Sequence, residues 1–267
     1  MKLGVAVPKI KTRDITANTL VALDYIHQAG AAGVDLLLLP ETMLTGFVFD
    51  DIHAMDLPHA VAITDAPIIQ LCEAARTHDI WVAFGFIENN DEVLFDSAVL
   101  INNKGEIVLH QRRLTRGWCA SNANPAEYGS GATYHTAMTP WGKVGFMICG
   151  DLFDAVHHAT DAALDILLFP YARCFVECPG SQAPHAIQLG NGVADAQRQW
   201  DDVEWPDYAA QIKKANAGFT LGANYISADG DDDYFGGGFI TGRDGVALAT
   251  LPLFTPGLLT YEVPPCK

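Results

Sequence analysis

Positive charge is scarce in this chain. Only 16 Lys and Arg stand against 32 Asp and Glu in 267 residues, a formal charge of −16. That balance gives no electrostatic footprint for nucleic acid or for an anionic membrane surface. No apolar run approaches the ~20 residues of a membrane span. The opening MKLGVAVPKI lacks the long apolar region of an export signal, so a cytoplasmic location is expected. The cysteines, at 72, 119, 149, 174, 178 and 266, show no disulfide-framework spacing. Reduced thiols fit that expectation. Cys174 and Cys178 form a C-x3-C pair with no second Cys or His pair at zinc spacing, so they read as structural and no metal is expected.

Several chemical signatures are also missing. There is no H-E-x-x-H, no Walker A loop, no G-x-G-x-x-G and no G-x-S-x-G. Gly236-Gly237-Gly238 precedes a strand rather than opening a helix, which removes it as a phosphate loop. The acidic turn from Asp229 to Asp233 has Tyr234 and Ile240 where a calcium loop needs Gly and Glu. His157 and His158 lie on a helix with no carboxylate at ligand spacing.

What is present is ample apolar material, 49% of the chain, enough for a sizeable core. Leu3, Val5 and Val7 alternate as a strand, and residues 16–28 carry a helical face of Leu20, Leu23 and Ile26. Asp35 to Pro40 is an apolar run too short for a helix and reads as a strand buried on both faces. Residues 67–78 read as a helix and 81–87 as a strand. Residues 93–101 and 106–111 form a hairpin around Asn102-Asn103-Lys104-Gly105. The order repeats downstream: strand 144–148, helix 153–164, strand 166–169, helix 206–217, then strands 219–226, 235–241, 246–251 and 258–263. No composition break divides residues 1–267, which read as one α/β domain. Residues 172–204, rich in Gly, Pro and Gln, read as an irregular surface excursion lying over a site.

Two buried strands end alike. One delivers Glu41 and the other Cys149, and strand ends are where α/β folds gather reactive groups. Glu41 emerges from apolar surroundings that favour a proton-accepting carboxyl, although capping or an ion pair is its ordinary alternative. At Cys149 the strand stops, Gly150 allows a sharp turn, and Asp151 is placed to cap the next helix. A thiol there is either inert packing or a nucleophile close to backbone N–H groups. Arg112 and Arg113, just past the hairpin, are either solvated charge or a site for an anion or oxyanion.

Three segments together carry more than any one of them: Leu38-Leu39-Pro40-Glu41 through Leu44-Thr45-Gly46-Phe47, Gly105 through Arg113, and Gly145-Phe146-Met147-Ile148-Cys149-Gly150-Asp151. In that order they resemble the signature segments of the nitrilase superfamily of carbon–nitrogen hydrolases, and the resemblance spans nearly the whole chain. It implies a four-layer αββα sandwich, association into a homodimer or higher homo-oligomer with stacked sandwiches, and cofactor-free chemistry on small amides or nitriles. By the same resemblance Glu41 is the general base, Cys149 the nucleophile and Gly150 part of the oxyanion hole, with Asp151 bracing the elbow. Amide hydrolysis is the commoner activity in that family.

The chain departs from the family pattern where it matters. Tyr-Arg-Lys becomes Gln111-Arg112-Arg113, so the catalytic lysine position holds Arg113. A second family glutamate falls on Asn124, and Glu127 is the nearest carboxylate. Two readings follow: an active thiol amidohydrolase using Arg113, or a catalytically silent homologue kept as a binding or assembly subunit. Trp118, Tyr171, Arg173 and a loop carrying Phe175, Trp200 and Trp205 are the expected walls of a substrate pocket.

Overall fold

Strand and helix alternate through the first half of the chain: β1 (Lys2–Val7), α1 (Ile15–Ala31), β2 (Leu36–Leu38), α2 (His53–Asp56), α3 (Ala66–Thr77), β3 (Trp81–Asn90), β4 (Val93–Ile101) and β5 (Ile107–Arg112). The second half adds β6 (Thr136–Thr139), β7 (Gly142–Phe146), α4 (Asp151–Asp154), α5 (Val156–Ala162), β8 (Ile166–Pro170), α6 (Val193–Gln199) and α7 (Trp205–Ala215). It closes with β9 (Phe219–Ala223), β10 (Ile226–Ser227), β11 (Tyr234–Gly242), β12 (Ala247–Leu253) and β13 (Gly257–Glu262). The structure is a computed structural model and describes residues 1–47, 51–174, 193–227 and 234–264.

The strands form two sheets. One runs β13-β1-β2-β3-β4-β5, and the other runs β10-β11-β9-β8-β7-β6 with β12 on β11. Each has a parallel centre, β1-β2-β3 and β7-β8-β9, flanked by antiparallel neighbours. Parallel strands need covered faces, and the run Leu36-Leu37-Leu38-Leu39 shows how they are covered. Leu36 and Leu38 point into the apolar layer between the sheets, with Val5, Leu100, Phe146, Leu168 and Leu221. Leu37 and Leu39 point the other way, into the layer under α1 and α3 with Ile26 and Leu71. A third layer packs Leu167, Phe169 and Phe239 beneath Leu152, Ala159, Tyr208 and Ile212 of the other helices. Helices, sheet, sheet, helices: this is the αββα sandwich. Each buried leucine contributes roughly 1.5–3 kcal/mol, which is why these strands are apolar on both faces.

The differences from the sequence expectation are local. Residues 153–164 are not one helix, because the chain breaks at Ala155 (φ −129°) into α4 and α5. The irregular excursion expected at 172–204 is helical from Val193 onward, with a π turn at Trp200–Glu204 leading into α7. Residues 175–192, including Phe175 and Cys178, lie outside the described residues, as do the acidic turn at 229–233 and Cys266. Strand β6 carries no apolar alternation and was not legible. Among the described residues no helix is long and apolar enough to cross a membrane.

Candidate active site

Glu41 is seated by backbone hydrogen bonds that run past the end of β2. Leu39 N–H donates to Ala83 O (2.8 Å), Gly85 N–H to Pro40 O (2.9 Å) and Met43 N–H to Gly85 O (2.9 Å). Position 85 must be glycine, since a Cβ there would stand 2.7 Å from the Glu41 Cα. Strand β4 supplies a second carboxylate. Asp96, Ala98 and Leu100 share one face by strand alternation, and Ala98 and Leu100 belong to the layer between the sheets. Arg113 follows β5 directly, its N–H donating to Asp96 O at 2.7 Å.

The guanidinium of Arg113 joins these pieces. Its Nη1 donates to Glu41 Oε1 and to Asp96 Oδ2, each at 3.2 Å, and its Nε donates to Thr115 Oγ1 at 3.2 Å. Glu41, Asp96 and Arg113 are 0%, 1% and 4% exposed, so the three charges sit out of water. Burial raises the Glu41 carboxyl well above the usual carboxylate range; the charges of Asp96 and Cys149 add to this, and Arg113 opposes it. Burial also raises Asp96, against the hydrogen bond to Glu41 and the attraction of Arg113. For Arg113 burial disfavours the charge, but Cys149, Glu41, Asp96 and Asp151 together outweigh it and hold the cation. Nη2 of Arg113 has no acceptor among the described residues.

Cys149 reaches the same place from the other sheet. Its N–H donates to Pro170 O at 3.0 Å, and its Sγ lies 3.8 Å from Ala172 O. The sharp turn is made by Cys149 itself, at φ +45°, whereas Gly150 has an ordinary φ of −58°. Gly150 is required for space instead: a Cβ there would meet Arg113 Nη2 at 2.4 Å. The Gly150 N–H has no acceptor among the described residues either. Asp151 does not cap its helix. It reaches across to accept Leu114 N–H (3.1 Å) and Thr115 N–H (2.9 Å), fixing the segment that carries Arg113.

A cavity of about 390 Å³ opens over these groups. Arg113, Cys149 and Gly150 line its floor, Phe47, Phe153, Tyr208 and Tyr234 give apolar walls, and Arg173 and Glu204 give a polar one. Arg173 grips Glu204 with two hydrogen bonds, Nε to Oε2 at 3.1 Å and Nη2 to Oε1 at 2.6 Å. Two expected wall residues are core instead. Trp118 packs with Leu94 and Tyr128, and Tyr171 stacks on Phe169 and donates its hydroxyl to Gly237 O. Trp200 is buried against Tyr208 and Phe235, and Trp205 packs on Phe239. Glu127 is half-buried in a loop, its carbonyl accepting Leu94 N–H, and the second carboxylate on Arg113 is Asp96. Among the described residues no three His, Cys, Asp or Glu side chains group as metal ligands.

Residues 2–266 match the family described as carbon-nitrogen hydrolase. The chain belongs to the carbon-nitrogen hydrolase family. Curated members similar to it include a cyanide hydratase of Neurospora crassa, 26% identical over 51% of this chain and 41% of the relative. A nitrilase of Pseudomonas syringae is 28% identical over 73% of this chain and 61% of the relative. This chain thus spans about two fifths to three fifths of the length of those relatives. Among solved structures, an amidase from Nesterenkonia sp. AN1 superposes with a TM-score of 0.73 at 19% identity, covering 99% of this chain and 93% of the amidase. A variant of that amidase carries the acetamide moiety of fluoroacetamide covalently at its active site cysteine (TM-score 0.76, 19% identity, 99% and 90% coverage). At such identities the likeness is one of fold.

Within this family frame, Asp96 is the site residue that sequence reading missed. Its signal was present: a lone carboxylate in Leu94-Phe95-Asp96-Ser97-Ala98-Val99-Leu100, at the parity that faces the core. Nothing in the sequence alone put it beside Arg113.

Proposed function

We propose that this chain hydrolyses the carbon–nitrogen bond of small amides through a thioester on Cys149, with Glu41 as general base and Arg113 in the lysine's place. The observation that carries this reading is the divided guanidinium. Nη1 holds the carboxylates, while Nη2, with no acceptor among the described residues, lies on the side of Gly150, and Arg113 lines the cavity together with Gly150 and Cys149. Glu41 takes the thiol proton and Cys149 attacks the carbonyl carbon. The developing oxyanion is held by Gly150 N–H and Arg113 Nη2, donors that are already in place and need no reorganisation. The Glu41 carboxyl then protonates the departing amine, and water deprotonated by Glu41 cleaves the thioester. A cavity of about 390 Å³ with aromatic walls suits a small, largely apolar amide.

The test is ammonia release from a panel of short aliphatic and aromatic amides. Release by the unmodified protein that vanishes in Cys149→Ala supports the reading. No release from any amide, together with turnover appearing in Arg113→Lys, overturns it in favour of a silent homologue. The names of the curated relatives support a second reading, in which the same thiol adds to a nitrile carbon. Nitriles in the same panel decide between them, since a nitrile hydrolase consumes these faster than the matching amides.

A further inference from the structure

The Glu41–Asp96 contact is more than an accident of crowding. Two carboxylates meet one guanidinium nitrogen in a site closed to water, at 0% and 1% exposure. Two negative charges against one positive leave a net buried charge, which the interior does not tolerate without a partner. Each carboxyl also has one buried oxygen with no hydrogen-bond partner among the described residues, Oε2 of Glu41 and Oδ1 of Asp96. The two groups lie within hydrogen-bonding reach of each other. A single proton placed between those two oxygens satisfies both and brings the cluster to neutrality with Arg113. Two carboxyls that share one site out of water do not both ionise.

We propose that Asp96 is a positioning residue that shares one proton with Glu41, and that the pair, rather than Glu41 alone, is the base acting on Cys149. This rests on the catalytic reading above. When Glu41 Oε1 accepts the proton of the Cys149 thiol, the shared proton moves fully onto Asp96. The products are a thiolate, two neutral carboxyls and the Arg113 cation. Net charge is zero before and after: the S–H bond breaks, one O–H bond forms, and the negative charge passes from the pair to sulfur. These four groups keep the same net charge throughout, while the neighbouring Asp151 is held by the N–H groups of Leu114 and Thr115. The shared proton also accounts for an acidic residue on the core-facing side of β4, where Ala98 and Leu100 are apolar.

Two measurements test the proposal, and only one depends on reactivity. Infrared difference spectra at neutral pH should show one protonated carboxyl band in the unmodified protein, lost both in Asp96→Asn and in Glu41→Gln. A band that survives in Asp96→Asn, or is absent from the unmodified protein, overturns the shared proton. Where Asp96→Asn does not fold, carboxyl-13C labelling of the unmodified protein decides: the band should shift with labelled Asp as well as with labelled Glu, and a band that moves with labelled Glu alone overturns the shared proton. The second measurement is the pH profile of Cys149 alkylation by iodoacetamide. Removing the second charge should move its acid limb to lower pH by about one unit or more in Asp96→Asn. An unmoved limb in folded Asp96→Asn overturns the role of the pair as base. If no amide releases ammonia while the band behaves as described, the catalytic reading fails and the shared proton stands.

Discussion

Nη1 of Arg113 lies 3.2 Å from Oε1 of Glu41, so the guanidinium proposed to act in a lysine's place is bound to the proposed base. The same nitrogen holds Asp96. A lysine would carry all its N–H donors on one nitrogen, whereas the guanidinium fork places one nitrogen on the carboxylates and leaves another for the cavity. Arg113→Ala should cost roughly 3–5 kcal/mol, because it leaves buried carboxylates without their cation. Arg113→Lys should stay folded but lose its second donor to the oxyanion, lowering ammonia release by about 100-fold or more. Thermal unfolding and steady-state turnover check the two halves separately.

Gly150 gives a cleaner probe of the same donor. Its φ of −58° suits any residue, so Gly150→Ala carries no backbone penalty. The added methyl instead meets Arg113 Nη2 at 2.4 Å. The expected outcome is displacement of the guanidinium, a loss of about 1–3 kcal/mol from overpacking, and collapse of turnover. A variant with unchanged kcat would show that Nη2 has no part in the reaction.

Much of the fold was legible because its physics is local. Leu36 to Leu39 could only be a strand covered on both faces, and the turn at Asn102 to Gly105 closes a hairpin with Gly105 at φ +79°. Glu41, Arg113 and Cys149 were legible as strand ends. Asp96 was not, because its meaning depends on how β4 and β5 register: Ser97 opposite Arg112 brings Asp96 alongside Arg113. Nor was the left-handed backbone at Cys149 legible, since the adjacent glycine drew the expectation to itself. Trp118 and Tyr171 misled for a related reason. Aromatic side chains near a site fill cores as readily as they line pockets, and only tertiary packing decides.

A second buried carboxylate behaves in the opposite way to Glu41. Glu88 accepts from Arg112 (2.7 and 2.9 Å), Ser97 (2.6 Å) and His110 (3.0 Å). Burial alone would raise it, but those donors outweigh burial and hold its pKa at about 2. Its folded value is therefore below its unfolded one, so the ionised form stabilises the fold above the ordinary carboxylate range. That stability is lost as pH falls toward about 2. The loss amounts to about 3 kcal/mol at full protonation. Chemical denaturation at stepped pH should show this acid limb, and Glu88→Gln should flatten it while lowering stability at neutral pH. An acid limb of the same depth in Glu88→Gln would assign it to other carboxylates.

The strain at Cys149 gives a prediction in which stability and activity part company. A side chain at φ +45° costs an L-residue roughly 1–2 kcal/mol, and glycine adopts that conformation freely. Both Cys149→Ala and Cys149→Gly remove the sulfur and should abolish turnover equally. Their stabilities should differ: alanine keeps the strain, whereas glycine releases it. Cys149→Gly should then unfold about 2–4 °C above Cys149→Ala for each kcal/mol released, despite the greater freedom that glycine gives the unfolded chain. Strain of this kind persists only where the surroundings over-determine it. Here the Cys149 N–H to Pro170 O bond holds the elbow, and Cys149 lines the cavity. Equal melting temperatures for the two variants would mean that the elbow is relaxed, and that the orientation of the sulfur comes from packing alone.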